Sequence, residues 1–436
     1  MKTRKTLIAI AAGMLVCMAF ASLAFAYPSV FPTGTTIYNP DRCWNGYTLL
    51  CNSSYSPHGI ILIDMNGNVV HRWMDVVGFP AKLLPGGQLL AQDRTKSTVV
   101  QVDWNGNIVN RWKMLTPGTK QHHDVQREGN PVGYYTPALD FVEKGTTLIL
   151  GRTKPLDVKK IKWPKGPQDP TNRITEVSWD GKVVWDWKQI DHKDEVKTGV
   201  INCASWLGPN KWYDAGDERF YPGNVIFDNT FGDSIIIISR KTGEVVWRVG
   251  PDYSEAPQLA KLGYIKEAYY GRFQGGMLHH AHMIPRGLPG EGNILVFNNG
   301  CPYSLVTEFN PITLEVVWEY SGLAIGYGPS HSLAHSFFSA TVSSAQRLPN
   351  GNTLICEGDD GRIFEVTRDL EIVWEYVNPY LWKTISGTKP TNGVYRAYRV
   401  PYDWVPQLEK PVEQPIVPPN NAEFRIEPEA MKTMGY

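Results

Sequence analysis

The chain has 436 residues, and its 43 Lys and Arg balance 43 Asp and Glu, so the formal charge is zero. That balance argues against nucleic acid as a partner, because phosphate binding needs a positive surplus. Forty Gly, 32 Pro, 15 Trp and 21 Tyr describe a turn-rich, aromatic all-β chain.

Residues 1–26 read as a signal peptide. A basic MKTRK start is followed by an apolar run from Leu7 to Phe20 and by Ala24-Phe25-Ala26, an A-x-A cleavage pattern. The run is short for a membrane span, and no later segment is apolar enough for one. Export with cleavage near Ala26, to the periplasm or the medium, is therefore expected. Residues 27–57 read as an N-terminal cap. Cys43 and Cys51 bracket CWNGYTLLC and are the expected disulfide pair of an exported chain. The odd count after cleavage leaves at least one further thiol. No CxxC spacing occurs, so a zinc-thiolate site is not expected.

From residue 58 the chain repeats. An alternating strand, a tight turn and a strand ending near Trp recur six times: GIILIDMNGNVVHRW (59–73), TVVQVDWNGNIVNRW (98–112), RITEVSWDGKVVWDW (173–187), SIIIISRKTGEVVWRV (234–249), LVTEFNPITLEVVWEY (305–320) and RIFEVTRDLEIVWEY (362–376). Asn-Gly, Asp-Gly and Thr-Gly turns between alternating runs predict hairpins. The repeated Trp residues, at 73, 112, 185, 247, 318 and 374, are read as core.

A glycine turn and an apolar strand precede most copies, as in PGNVIFDN (222–229) and EGNILVFNNG (291–300). Upstream of these stand short strands carrying HHDV, NCAS, HHAHMI and SSAQRL. Four strands per repeat and six repeats predict an all-β, six-bladed β-propeller over 58–401. The first copy lacks its own inner strands upstream. VYRAYRVP (394–401) can supply a strand after the last full blade, closing the ring between the two ends of the chain and removing exposed edges. The connection 250–275 is expected to be partly helical. Residues 402–436 form a Pro-rich tail expected on the outside.

In a propeller the innermost strands line the central channel. They carry His122-His123, Asn202 to Ser205, His279-His280 with His282, and Ser343-Ser344. Histidine near neutral pH serves as nucleophile, acid, base or metal ligand. The two clusters are read as one functional site. His58, His71 and His192 are read as structural. His331 and His335 are either a loop over the channel mouth or packing. Asp124 is either a partner for His123 or a turn residue.

HHDVQREGNPVGYY (122–135), LGPNKWYDAGDERF (207–220), HMIPRGLPGEGNILVFNNG (282–300), SAQRLPNGNTLICEGDDGRIFEVT (344–367) and YRAYRVPYDWVPQ (395–407) resemble the bacterial aryl-sulfate sulfotransferases. The resemblance covers residues 58 to 407. It implies a six-bladed propeller, export, and sulfuryl transfer from an aryl sulfate to a phenol through a sulfohistidine, with no nucleotide donor and no cofactor. By that resemblance His279 is the nucleophile, with His280 beside it. His122 and His123 are oxyanion donors or acids, and Glu357 reaches the channel. His282, Asn202, Asn229, Arg362 and His335 would contact substrate. Where the family carries His-x-Asn-Ser, this chain reads Asn202-Cys203-Ala204-Ser205. Where it carries Ser-Ser-Arg, the chain reads Asp228-Asn229-Thr230. Leu278 and Asn298 replace a Gln and an Asp. The alternative reading is a binding or structural propeller, or one that holds a metal on its channel histidines.

Overall fold

The computed structural model describes residues 33–416 except 53–55, 95–97, 114–118, 131, 154–171, 197–198, 264–276, 301–302, 329 and 384–389. The segment 1–26, expected as a signal peptide, and the end of the tail, 417–436, lie outside the described residues.

Six antiparallel sheets form the blades of a β-propeller. From the inside outward, blade 1 is Val76–Leu84, Gln88–Asp93, Thr98–Val102 and Ile108–Lys113. Blade 2 is Thr119–Arg127, Thr147–Thr153, Asn172–Val177 and Val183–Lys188. Blade 3 is Ile201–Trp206, Val225–Asn229, Ser234–Ile238 and Val245–Val249. Blade 4 is Leu278–Met283, Ile294–Asn298, Leu305–Phe309 and Val316–Tyr320. Blade 5 is Ser344–Arg347, Thr353–Glu357, Arg362–Val366 and Ile372–Val377.

The closing blade joins the chain ends. Its inner strand Val394–Val400 pairs with Tyr47–Asn52, followed outward by Ile60–Ile63 and Val69–Trp73. Closure of this kind leaves no gap in the ring. The segment expected as a cap is built into the ring instead. Tyr47–Asn52 is the second strand of the closing blade, and Gly34–Tyr38 is a fifth strand on the outer edge of blade 5. The tail returns to the same place, where Ile416 bridges Tyr38 and Gln414 pairs with Asn66.

Burial explains the strand composition. Middle strands such as Ser234–Ile238 and Ile294–Asn298 are buried throughout, because each blade is covered by two neighbours. A strand covered on both faces can be a continuous apolar run, as SIIII is. Outer strands open to solvent, so Val109 and Val184 are 45% and 48% exposed.

The repeated tryptophans act as fasteners between blades. Each buried indole N–H donates to a backbone carbonyl in the outer hairpin of the next blade. The pairs are Trp73 to Asp103 (3.1 Å), Trp112 to Ser178 (3.0 Å), Trp187 to Gly243 (3.0 Å), Trp247 to Pro311 (2.9 Å), Trp318 to Arg368 (3.1 Å) and Trp374 to Met65 (2.7 Å). In blade 2 the repeat position is Trp187. Trp185, assigned to it from sequence, lies one alternation away and is only half-buried.

The expected Cys43–Cys51 disulfide is absent. The strand Tyr47–Asn52 runs between the two residues at about 3.3 Å per residue. It carries Cys51 to the closing-blade interior, where its thiol donates to Ala81 O (3.3 Å). Cys43 stays at the edge of blade 5 and donates to Val373 O (3.3 Å). Cys43, Cys51, Cys203 and Cys356 are all free thiols.

Candidate functional site

The inner strands of blades 2, 3 and 4 are bulged at corresponding places. The register jumps opposite His122–Asp124, opposite Asn202-Cys203 and opposite His280-Ala281. A bulge re-aims side chains that strict alternation would send to opposite faces. In two of the three bulges a histidine takes the left-handed conformation, His123 at φ 63° and His280 at φ 54°. That region costs a non-glycine residue about 1–3 kcal/mol and is concentrated at functional sites.

A buried ionic network fills the middle of the channel. Arg396, from the closing blade, reaches Asp124 of blade 2 (3.0 Å) and the Asn202 carbonyl of blade 3 (2.5 Å). Lys82 of blade 1 lies 3.4 Å from the other Asp124 oxygen and donates to the Tyr398 hydroxyl at 2.6 Å. Burial pulls the Lys82 ammonium down to about 8, against the attraction of Asp124. Asp228 takes backbone N–H groups from Asn202 (2.8 Å) and Cys203 (3.0 Å) and the Cys203 thiol (3.0 Å). Burial raises it to about 6.

One end of the channel is crossed by the blade 2 loop Val132–Ala138. The Val132 carbonyl meets Lys82 Nζ (3.5 Å), Tyr134 donates to His282 Nε2 (2.7 Å), and Pro137 and Ala138 abut Gly287 of blade 4. Gly133 is required there. It sits at φ 79°, and a Cβ would fall 2.4 Å from the Lys82 side chain. Towards the opposite end lie His123, Phe79 and Tyr395, with Phe79 4.9 Å from His123 and 4.1 Å from Tyr395, ring centre to ring centre.

The histidine tautomers follow from their partners. His279 Nδ1 lies 2.5 Å from Asn299 Oδ1, so Nδ1 carries the proton and the neutral ring has its lone pair on Nε2. His280 Nδ1 donates to the Ala345 carbonyl (2.9 Å), and its Nε2 makes no hydrogen bond among the described residues. His282 donates from Nδ1 to the His280 carbonyl (2.8 Å) and accepts from Tyr134 at Nε2. His122 and His123 face each other through their Nδ1 atoms. Burial, then Arg396, pulls His279 down to about 4. His282 is lowered to about 4, chiefly by burial. His123 and His280 fall well below the usual range for the same first reason, with neighbouring imidazoles next. All four rings are therefore neutral at pH 7, and Arg396 acts on each. Neutral imidazoles have a lone pair available for nucleophilic attack, and the guanidinium near them is paired with Asp124.

Among the sequence-derived candidates, His122, His123, His279, His280, His282 and Asn202 come together around this channel. Asn202 also bonds Thr230 and the Leu278 carbonyl, tying blade 3 to blade 4. The other candidates lie elsewhere. Glu357 and Arg362 pair with each other (3.1 Å), and Arg362 pairs with Glu375 (2.6 Å). This ladder runs outward through blade 5 and ends on Thr36 of the added strand. Its burial raises Glu357 to about 7. Asn229 packs against Gly199 and Gly232, where a Cβ on either glycine would strike its side-chain amide. His335 stands half-buried beside Tyr303 (5.8 Å), and exposed His331 stacks on Tyr327 (5.2 Å). His71 stacks on Trp104 and His192 on Trp187, while His58 bonds the Leu381 carbonyl.

Sequence reasoning missed Arg396, Lys82, Tyr134, Tyr398 and Asn299. The signal for Arg396 and Tyr398 was present, since both alternate on the strand that closes the ring. Tyr134 and Asn299 sit in loops, with no period to mark them. Among the described residues no group of three or more His, Cys, Asp or Glu is placed to hold a metal ion. No described helix is long and apolar enough to cross a membrane.

No protein-family model matches this chain, and no curated protein does. Solved structures similar to it are distant. A protein of unknown function from Bacteroides caccae has a TM-score of 0.47 at 12% identity, over 82% of this chain and 99% of that one. Virginiamycin B lyase from Staphylococcus aureus has 0.38 at 11%, over 76% and 73%. The WD40 domain of Toxoplasma gondii coronin has 0.41 at 8%, over 85% and 80%. Likenesses this remote say nothing about chemistry.

Proposed function

We propose that the channel transfers a sulfuryl group from an aryl sulfate to a phenolic acceptor through His279, in a protein exported after cleavage near Ala26. The observation that supports this most is His279 itself. It is buried and neutral, its Nδ1 proton is held by Asn299, and its Nε2 lone pair lies in the field of Arg396. A neutral imidazole attacks without first losing a proton from the attacking nitrogen.

In the first half-reaction the Nε2 lone pair forms the N–S bond as the S–O(aryl) bond breaks. The phenolate leaves with the bonding pair and is protonated on release. The ring, bearing Nδ1–H and an Nε2 sulfo group, is a zwitterion. In the second half the acceptor oxygen takes the sulfuryl group, its proton is lost, and neutral His279 returns. Arg396 provides positive charge where the chain lacks the arginine of the Ser-Ser-Arg segment. Preorganised charge of this kind is worth most in a buried site. His123 borders the same space.

Incubating the mature protein with an aryl sulfate and a phenol tests the proposal. Phenol release together with a histidine 80 Da heavier at His279 (the approximate mass of SO₃) is expected; unmodified protein and no release would sink it. N-terminal sequencing of protein recovered outside the cytoplasm tests export.

One observation favours the second reading, a binding or structural propeller. Arg396 is already engaged by Asp124 and by the Asn202 carbonyl. If substitution of Arg396 changed stability alone, with no turnover in the unaltered protein, that reading would stand.

A further inference from the structure

The ring of His279 has a fixed support that the proposed reaction depends on. Asn299 is fully buried, one residue beyond the second strand of blade 4. Its Nδ2 donates to the Ser339 carbonyl (2.8 Å) and to the Val342 carbonyl (3.1 Å). Both partners are acceptors, so the amide cannot flip, and Oδ1 must face His279 Nδ1. The backbone of Asn299 is also fixed. Its N–H donates to the Met277 carbonyl (3.0 Å), and its carbonyl accepts from Ser304 Oγ (2.8 Å).

The carbonyls that orient the amide belong to an unusual turn. Val342 and Ser343 are consecutive non-glycine residues in the left-handed region, at φ 55° and 89°. For a β-branched valine this conformation is strained. Side chains hold it. Ser343 Oγ donates to Ser339 Oγ (2.9 Å) and accepts from Gly358 N–H (3.0 Å), and Asp359 N–H donates to Ser339 Oγ (3.0 Å). Strain held in place by surrounding bonds points to a purpose at that spot. What the turn presents is a pair of carbonyls, aimed at Asn299.

We infer that Asn299, braced by the left-handed Val342-Ser343 turn, is the positioning residue that holds His279 as the Nδ1–H tautomer and keeps Nε2 free for the substrate. The inference rests on the reading of His279 as the transferring group. It also explains why the partner is an amide. A carboxylate at this point would hold the same tautomer, but it would stabilise the imidazolium and repel an anionic substrate. An amide oxygen fixes the tautomer without adding charge.

The test uses full-length protein labelled with ¹⁵N-histidine, with the His279 signal assigned by its absence from a His279→Gln sample. A neutral ring protonated on Nδ1 from pH 8 to 5.5 is expected; a ring protonated on Nε2 would overturn the inference. Two variants extend it. Asn299→Asp keeps the acceptor, so the Nδ1–H tautomer persists while the His279 titration moves to higher pH. Asn299→Leu removes the acceptor and yields the Nε2–H form. In the transfer assay both lower kcat by about 10–100-fold with little change in KM, the range for loss of a supporting partner. The acid limb of the rate profile shifts only for Asn299→Asp. If the Leu variant does not fold, the unaltered protein and the Asp variant carry the test. An Nδ1–H ring that never becomes sulfated would support the positioning and refute the transfer. Turnover through an Nε2–H ring would do the reverse.

Discussion

The outer and inner rings of this propeller are built on opposite rules. On the outside, six tryptophans make one contact six times, each indole reaching a carbonyl of the next blade. On the inside, no two strands present the same side chains. Blade 4 brings three histidines, blade 2 two more and Asp124, blade 1 Lys82, and the closing blade Arg396, Tyr395 and Tyr398. The periodic part needs only to repeat, and it holds the ring together. The aperiodic part accepts left-handed histidines and buried charge, both unfavourable for stability, and the proposed chemistry rests on it. Changes on the two rings should therefore separate turnover from folding.

The largest contrast is expected at His279. His279→Ala should lower sulfuryl transfer at least about a thousandfold, as loss of a covalent nucleophile does, while stability falls by only about 1–3 kcal/mol as Asn299 Oδ1 loses its buried partner. Equal losses of activity and stability would break the division between the rings.

Arg396→Met comes next and crosses that division. Asp124 would stay buried with Lys82 as its remaining ion-pair partner beside the Val125 and Ala204 N–H groups, and removing one partner of a buried pair costs about 3–5 kcal/mol. Pairing it with Asp124→Asn should recover part of the stability and none of the transfer. Full recovery of transfer would show that Arg396 serves packing only.

Acid should weaken the inner ring. His279 and His282 titrate near 4 in the folded chain, and His123 and His280 lie well below their ordinary value. The unfolded chain binds these protons near 6.5. Between about pH 6.5 and 4 the unfolded state holds more protons, so stability is lost as pH falls, by up to about 1.4 kcal/mol per unit for each ring. Asp228 and Glu357, raised to about 6 and 7, act in the opposite sense. Asp359 and Asp360, also raised by burial, add to the opposing carboxylates, and His71 is lowered in the same sense as the four rings, so the share of a single ring is read from the slope of stability between pH 6.5 and 5. His282→Phe should flatten that slope by one ring's share in denaturant melts at the two pH values; a slope unchanged by it would count against a neutral buried His282.

The smallest effect belongs to the outer ring. Trp247→Phe keeps the buried ring and loses the bond to the Pro311 carbonyl, which should cost about 1 kcal/mol and leave turnover per folded molecule unaltered. A change in kcat would show that the fastener also tunes the channel.

The outer ring was legible in the sequence because its signals are local. Turn pairs such as Asn66-Gly67 and Asp180-Gly181 sit between alternating runs, and a Trp follows at a near-constant distance. Even so, alternation cannot choose between Trp185 and Trp187, which stand two residues apart on one strand, and only the bond to Gly243 marks Trp187 as the fastener. The segment 27–57 reads as a cap in the sequence because TTIY and YTLLC stand apart from the repeat they complete. Histidine clustering pointed correctly to the inner strands of blades 2 and 4. It did not separate His279, with its amide partner, from Glu357 and Arg362, which face each other in blade 5.

By itself, then, the sequence determined the six-fold repeat, its hairpins and the strands on which the histidines would fall. All of these follow from periods of two residues and from turns that involve neighbours in the chain. Only the tertiary structure decided what those histidines meet. Arg396 and Asp124 are 272 residues apart, and Tyr134 and His282 are 148 apart. Closing the ring brings such residues together, and no local period records that distance. The proton on His279 was decided the same way, by an asparagine on the next loop whose amide is turned by a strained corner at Val342 and Ser343.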